Sequence, residues 1–175
     1  MPLLLVQSFV NTWEADRGID LLSDPETARR WLHQAGLWDG VTPPSLQELQ
    51  VARGVRESLR SLLAHDGGSP HLSPDDLRPL EDLARSCRAR LAIGSDGGLL
   101  LDPDSGDGLD SKLFGLLLVV RDAQKDGTWQ RLKACDNPAC RWAFYDRSHT
   151  RRGRWCDMAV CGNRIKNRKL RERRR

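Results

Sequence analysis

Four cysteines in the last third of the chain fall into two pairs with identical spacing. Cys135 and Cys140 are separated by four residues, as are Cys156 and Cys161, and fifteen residues lie between the pairs. Zinc binds four thiolates in a tetrahedron, and closely spaced cysteine pairs supply them from two short turns. The spacing therefore predicts one structural zinc ion per chain. An iron–sulfur cluster is the alternative metal group.

Two other candidate ligands stand outside this pattern. Cys87 has no companion in the sequence, and we expect it to be a buried residue of a helix. His149 lies between the two cysteine pairs and would replace a cysteine only if the spacing had another origin. The sequence shows no export signal or membrane span, so we expect a cytoplasmic protein. In such a reducing compartment paired cysteines are more often metal ligands than disulfides.

Charge divides the chain at the same place. Residues 131–175 hold fifteen Lys and Arg and four Asp and Glu, a net charge of +11, whereas the whole chain carries only +4. Residues 1–130 therefore carry −7. A basic segment of this kind attracts nucleic-acid phosphates, or less often anionic lipid, and an acidic body orients the encounter. We expect two domains, residues 1–130 and 131–175, with binding at the C-terminal end.

No segment is expected to cross or enter a membrane. The apolar stretch 1–6 has no basic residue before it and is shorter than the apolar core of an export signal. The run Leu113–Val120 has eight residues, far fewer than the roughly 20 that a membrane-spanning helix needs.

Residues 1–130 show the start signals of several helices. Side-chain caps are predicted at Ser23, Ser45 and Ser73, ahead of helices that end near Gly36, near 65–68 and near 88. The segment 109–126 has the apolar spacing of another helix. Two apolar runs around Asp96–Gly98 predict a β-hairpin over 90–101. The fold class is α+β: a predominantly helical N-terminal domain with a small β-hairpin, followed by a zinc finger with four cysteine ligands.

The segments between the cysteines suggest the form of the finger. Residues 142–145 and 154–155 favour β-structure and flank the polar loop 146–153, so we expect them to pair as a hairpin. After Cys156 the chain enters a run of helix formers, which places Cys161 in the first turn of a helix. A knuckle, a hairpin and a helix together make a treble-clef-like finger.

Arginines and lysines of the finger form two candidate contacts with nucleic acid. Helical spacing places Arg164, Arg168, Arg171 and Arg175 on one face of the last helix. Arg151, Arg152 and Arg154, in and beside the loop 146–153, add a second basic cluster. The predicted nucleic-acid-binding residues are Arg151, Arg152, Arg154, Arg164, Lys166, Arg168, Lys169 and Arg171. The alternative is a solvated basic tail without a partner.

Two stretches resemble known bacterial families. Residues 156–164, which read CDMAVCGNR, and the preceding segments 144–148 and 152–155 resemble the CGNR zinc finger. Residues 8–12 and 24–37 resemble the ABATE domain that precedes that finger. The resemblance implies a stress-induced transcription regulator with DNA binding by the finger and a sensory or scaffolding role for the first domain.

The resemblance also assigns roles to the three residues after the last cysteine. Gly162 is expected to allow close backbone approach near the metal, and Asn163 to hydrogen-bond a knuckle carbonyl. Arg164 is expected to reach a phosphate or to brace the hairpin.

Other functions remain as alternatives. An RNA-binding or protein-docking finger could use Trp142, Phe144 and Tyr145, since aromatic rings stack on unpaired bases. An enzyme would need a catalytic set, and only Asn11, Asp16 and His33 form a loose candidate region, so we expect no enzymatic activity. Three tryptophans, Trp13, Trp31 and Trp38, are expected to anchor the core or to line an effector pocket. Association into a homodimer is compatible with this assignment.

Overall fold

The computed structural model describes residues 2–66, 72–104, 106 and 108–172, with the side chain of Lys169 left out. Among these residues, five α-helices precede the finger: α1 (Pro2–Val10), α2 (Pro25–Gln34), α3 (Leu46–Asp66), α4 (Pro74–Ser86) and α5 (Leu109–Lys125). Short antiparallel pairs join β1 (Trp13–Glu14) to β2 (Ile19–Asp20) and β3 (Ala89–Ile93) to β4 (Leu99–Pro103). The predicted α+β class, helical at the front with a small hairpin, is confirmed. Residues 67–71, which follow α3, lie outside the described residues, as do Arg173–Arg175.

The predicted caps are confirmed for α3 and α4 and shifted by one residue for α2. Ser45 and Glu48 form a reciprocal capping box, and Ser73 and Asp76 form another. At α2 the cap is Asp24, whose carboxylate accepts from the Thr27 amide at 3.0 Å. Ser23 does not have this role.

Helix α1 was not predicted from its sequence. Its residues Leu3, Val6, Phe9 and Val10 are all buried. The apolar start of the chain is therefore part of the core, and the Phe9 ring lies 6.2 Å from that of Trp31.

Helix α3 is the centre of the helical domain and contacts α1, α2, α4 and α5. Its residues Leu49, Ala52, Val55, Leu59 and Leu63 are fully buried. Trp38 is buried as well, while Trp31 and Trp13 are half-buried.

Two arginines of α3 are buried and fix the end of α1. Arg56 donates to both carboxylate oxygens of Asp20, at 2.6 and 3.0 Å. Arg60 donates to the backbone carbonyl oxygens of Val10 and Trp13. A buried charge needs such partners, so these bonds hold the chain segment that follows α1 in place.

The hairpin β3–β4 pairs Leu91 with Leu101 and Ile93 with Leu99. Its turn lies at Asp96–Gly98, as predicted, and Gly97 has the positive φ of 80° that such a turn requires. Cys87 is only partly buried and caps the C-terminal end of α4, so the prediction of a buried helix residue is wrong.

The strand pairing of the finger differs from the prediction. β5 (Leu132–Ala134) pairs with β6 (Ala143–Tyr145), and residues 154–155 form no strand. The loop still joins this sheet, because the Asp136 amide donates to the Arg154 carbonyl at 2.9 Å. The two strands are connected by the turn that carries Cys135 and Cys140, where Arg141 adopts a φ of 52°.

The start of the finger packs into the core of the helical domain. Trp129, Leu132, Ala134 and Ala143 belong to the same buried cluster as the α3 side chains. The chain ends in α6 (Asn163–Glu172). None of the described helices is long and apolar enough to span a membrane.

Candidate metal centre and basic surface

The four cysteine sulfurs of the finger converge at one point. The Sγ atoms of Cys135, Cys140, Cys156 and Cys161 all lie within 4.8 Å of one another. The Cys140 and Cys156 sulfurs are 3.6 Å apart, and those of Cys156 and Cys161 are 3.8 Å apart. A zinc–sulfur distance of about 2.3 Å makes the edge of a tetrahedron about 3.8 Å. The arrangement fits a four-thiolate zinc site.

Short backbone turns hold the cysteines in place. The Cys135 amide donates to the Trp142 carbonyl at 2.9 Å, and the Cys140 amide donates to the Asn137 carbonyl at 2.8 Å. Cys161 lies in one wide helical turn, Met158–Gly162, which leads directly into α6. Its predicted place at the start of the last helix is confirmed.

Two polar side chains next to the cysteines hold the metal centre in place through hydrogen bonds. Asn137 is buried, and its amide nitrogen donates to the Cys161 sulfur at 3.5 Å. Asp157 caps the turn that carries Cys161, because its carboxylate accepts from the Val160 amide at 2.9 Å. Asn137 was not predicted from the sequence, where its one local signal is its place between the predicted ligands Cys135 and Cys140.

Burial opposes the thiolate form of two of the four cysteines. It raises the pKa of the Cys140 thiol to about 11 and also raises the pKa of Cys156, whereas at Cys161 burial is outweighed by hydrogen bonds, led by that from Asn137, which lower the pKa. Metal binding therefore has to displace the protons of Cys140 and Cys156. His149 is exposed and lies outside the cysteine group.

Family comparisons agree with this geometry. A family model described as "CGNR zinc finger" matches residues 131–174. A second model, ABATE, described as "Putative stress-induced transcription regulator", matches residues 4–125, more than half of the chain. The chain belongs to the ABATE family. Its C-terminal part is a CGNR zinc finger with one structural zinc ion. No curated protein matches the chain.

The glycine of the CGNR segment lies in a crowded place. A Cβ atom at Gly162 would lie 2.5 Å from the Met158 sulfur and 3.2 Å from Cδ1 of Trp155. The expected close backbone approach is therefore present. It brings the turn against Trp155, which packs on the cysteine cluster.

The next two residues of the segment differ in their contacts. The Asn163 side chain donates at 3.0 Å to the Ala159 carbonyl, which lies between Cys156 and Cys161, in agreement with the predicted bond to a knuckle carbonyl. Arg164 is exposed.

Helix α6 presents its basic residues to solvent. Arg164, Lys166, Arg168 and Arg171 are all exposed, and Ile165 is the buried side chain that attaches the helix to the finger. Arg168 makes a weak ion pair with Glu172 at 3.9 Å. The Lys169 side chain and Arg175 lie outside the described residues.

The loop from Asp146 to Arg154 forms the second basic cluster and is built around a buried carboxylate. Asp146 accepts from Lys133 Nζ at 2.8 Å, from the Ser148 amide at 3.0 Å and from the Gly153 amide at 2.7 Å. Burial alone would raise the pKa of the Asp146 carboxyl, but these hydrogen bonds hold it well below its usual range. This role was not predicted from the sequence, where the one local signal is an aspartate two residues before Ser148, typical of an Asx turn.

The arginines of this loop differ in their contacts. Arg154 donates to Asp136 Oδ2 at 2.5 Å and lies over the Trp155 ring, 5.4 Å from its centre. Arg151 and Arg152 are exposed, and no group of the described residues engages their guanidinium ions. These two cations are adjacent in sequence; Arg147, at the other end of the loop, is also exposed.

Asn11, one of the three residues considered as a candidate catalytic set, hydrogen-bonds the helical domain to the finger. Asn11 donates to the Ala143 carbonyl at 2.9 Å and accepts from the Ala143 amide at 2.8 Å. This amide closes the outer edge of β6. His33 and Asp16, the other members of that set, are both exposed.

Proposed function

We propose that this protein is a transcription regulator that binds double-stranded DNA through its zinc finger, without catalysis. The observation that carries the proposal is a basic surface on the same finger as the four-cysteine metal centre. Residues 131–175 have a net charge of +11, and the same segment holds the four-cysteine site. Phosphate contacts dominate such binding. A cytoplasmic location belongs to this proposal, because it keeps the four thiols reduced.

The arrangement supports duplex binding because the basic residues have fixed positions. The exposed arginines of α6 follow helical spacing, and a helix of this width fits the major groove. The acidic remainder of the chain, with a charge of −7, repels phosphates and orients the finger toward them.

A salt series on duplex DNA tests the proposal. The logarithm of the affinity is expected to fall linearly with the logarithm of the salt concentration, and Arg171→Ala is expected to reduce the slope by about one unit. Cys156→Ser is expected to lose both zinc and DNA binding. Cys87→Ser, which changes a cysteine outside the metal centre, is the matched control and is expected to keep both. An affinity that does not depend on salt would refute phosphate binding.

RNA binding is the second candidate, and the exposed Arg151 and Arg152 would serve it too. Two of the three aromatic residues proposed for base stacking are partly engaged within the protein. Trp142 packs on the cysteine cluster and Tyr145 packs on the main core. We therefore favour duplex DNA. Competition between a duplex and single-stranded RNA of equal length separates the two candidates.

We further propose a small-molecule effector for the helical domain. A cavity of about 260 Å³ lies between α1, the end of α5 and β6, with Leu3, Leu4, Val119, Tyr145 and Arg147 among its lining residues. Its size is close to the lower limit of about 300 Å³ for ligand pockets. A small apolar molecule bound there would touch the finger through Tyr145. Ligand-dependent DNA affinity that Val119→Trp abolishes would support this role.

Association of two copies is proposed through the β3–β4 hairpin. Leu91, Ile93 and Leu99 are 66%, 76% and 68% exposed, and the pairing register places them on one face. An isolated two-stranded hairpin is marginally stable, and a second copy offers the same apolar face across a two-fold axis. Sedimentation is expected to give a dimer for the natural chain and a monomer for Ile93→Lys. The control is Ala92→Lys, on the opposite face.

A further inference from the structure

A polar cleft lies between the basic loop and the end of α5. It has a volume of about 770 Å³. One wall is the loop and β5, and the other is the end of α5 with the turn after it. The polar residues that line it are Gln124, Gln130, Lys133, Arg151, Arg152 and Arg154. We call it the loop–α5 cleft.

The loop wall offers two uncommitted cations. Lys133 is paired with Asp146, and Arg154 is paired with Asp136. Arg151 and Arg152 have no such partner among the described residues, and both are exposed. An anion that enters the cleft therefore meets two free guanidinium ions, which bind phosphate oxygens through paired N–H groups.

Hydrogen bonds to the loop backbone fix the position of these cations. Arg151 adopts a left-handed backbone with a φ of 52°, a conformation that is unfavourable for a residue with a side chain. Lys133 holds it by donating to the Arg151 carbonyl, and the Gly153 amide is fixed on Asp146. Strained backbone persists where its surroundings enforce it, and it is concentrated at functional sites.

The α5 wall is neutral, although it belongs to the acidic part of the chain. Gln124 and Gln130 are exposed and face the cleft. The acidic residues at the end of α5, Asp122 and Asp126, line the separate cavity beside α1. Amide groups can donate to phosphate or sugar oxygens, whereas a carboxylate in their place would repel them.

We propose that the loop–α5 cleft receives a backbone phosphate of the bound nucleic acid between Arg151 and Arg152 on one side and Gln124 and Gln130 on the other. The inference rests on the proposed function and extends it, because it makes the helical domain part of the interface. The finger is then held on the nucleic acid in one orientation, set by α5.

Charge-introducing variants of the neutral wall test this proposal. Gln124→Glu and Gln130→Glu are each expected to lower duplex-DNA affinity about tenfold at low salt, because each places a carboxylate beside the phosphate. Gln50→Glu makes the same charge change at an exposed position of α3, away from the cleft, and is expected to change affinity less than about twofold. Zinc content and helical circular dichroism are measured on each variant to establish that it is folded.

The loop variants separate this inference from the proposed function. Arg151→Ala and Arg152→Ala are each expected to reduce the salt slope by about one unit. If they do so while Gln124→Glu and Gln130→Glu match Gln50→Glu, the finger binds DNA but the α5 wall does not take part, and the inference fails alone. If the natural chain binds no nucleic acid, both fail. Tight binding of inorganic pyrophosphate that DNA does not displace would assign the cleft to a free anion and overturn the inference.

Discussion

Asp146 is a single buried carboxylate on which the loop 147–153 depends. Asp146→Asn would leave the Lys133 ammonium, 12% exposed, beside a neutral amide. Removing one partner of a buried ion pair costs on the order of 3 kcal/mol in the free energy of unfolding. Urea unfolding of the zinc-loaded protein measures this loss. Asp122→Asn, at an exposed carboxylate, is the control and is expected to cost less than about 1 kcal/mol.

The same carboxylate sets a pH dependence. The pKa of Asp146 is lowered in the folded protein, so its contribution to stability is complete above the unfolded value of about 3.9 and is lost as the pH falls through the lower folded value. The stability difference between the natural chain and Asp146→Asn is expected to shrink steadily from about pH 5 downward. Unfolding curves of both proteins at several pH values measure this difference. Effects of acid on the metal site are common to both proteins and cancel. A difference that stays constant down to about pH 3 would contradict the assignment.

Gly153 is predicted to tolerate no side chain. A Cβ atom there would lie 2.9 Å from Oδ2 of Asp146, and that carboxylate is fixed by its own hydrogen bonds. Gly153→Ala is expected to destabilise the protein by about 2 kcal/mol, since overpacking costs about 1–3 kcal/mol. Combined with Asp146→Asn, its cost should be much less than additive, because both variants disrupt the same contact. Gly108→Ala, where a Cβ atom would meet nothing within 4 Å, is the control.

At the scale of the elements, signals confined to a few residues gave correct predictions. Ser45 and Ser73 each have an acidic residue three positions later, and both capping boxes form. The shift from Ser23 to Asp24 at α2 arises because both adjacent residues can cap a helix. Local sequence therefore locates a helix start to within about one residue.

Elements that depend on distant partners were missed. Helix α1 has neither a capping residue nor a polar face at its start, and burial against α3 and α5 stabilises it. Strand β5 is three residues long and reads Leu-Lys-Ala, which has little β-propensity. It pairs with β6 because the knuckle turns the chain back and the core covers Leu132.

Asn11 connects two of these elements, α1 and β6, and its removal should weaken their contact. Asn11→Ala would leave the amide and carbonyl of Ala143 unpaired, and this residue is fully buried. We expect a loss of about 2–4 kcal/mol in the free energy of unfolding, because each unsatisfied buried group costs about 1–3 kcal/mol. Denaturant unfolding measures it, with zinc content unchanged in the folded protein. Asn167→Ala on the exposed face of α6 should change stability by less than about 0.5 kcal/mol.

At the scale of the whole molecule, the candidate site also has one part that local sequence predicts and another that depends on contacts between distant residues. The spacing of four cysteines between positions 135 and 161 was enough to predict the metal centre. The contact of Asn11 with Ala143 spans 132 positions, and the cleft joins the loop to α5; neither follows from local pattern. Charge counts predicted a basic surface, but only the fold distinguishes the paired Arg154 from the free Arg151.

The shared core makes a prediction about the whole chain. Because Trp129, Leu132 and Ala143 pack with the helical side chains, zinc that stabilises the finger should also stabilise helices α1–α5. Zinc at about a hundred times its dissociation constant contributes about 2.7 kcal/mol by mass action. Adding a strong chelator is therefore expected to lower the melting temperature of the helical circular dichroism signal, which comes mainly from residues outside the finger.

The shape of the thermal unfolding transition shows how closely the two predicted domains, 1–130 and 131–175, are coupled. With zinc bound, we expect helical circular dichroism and tryptophan fluorescence to change together in one cooperative transition. Asn11→Ala should separate them, because it breaks the hydrogen-bonded contact between α1 and β6 while the cysteine centre stays intact. A helical melting temperature that chelation leaves unchanged would mean that the finger adds no stability to the helical domain, despite the continuous core.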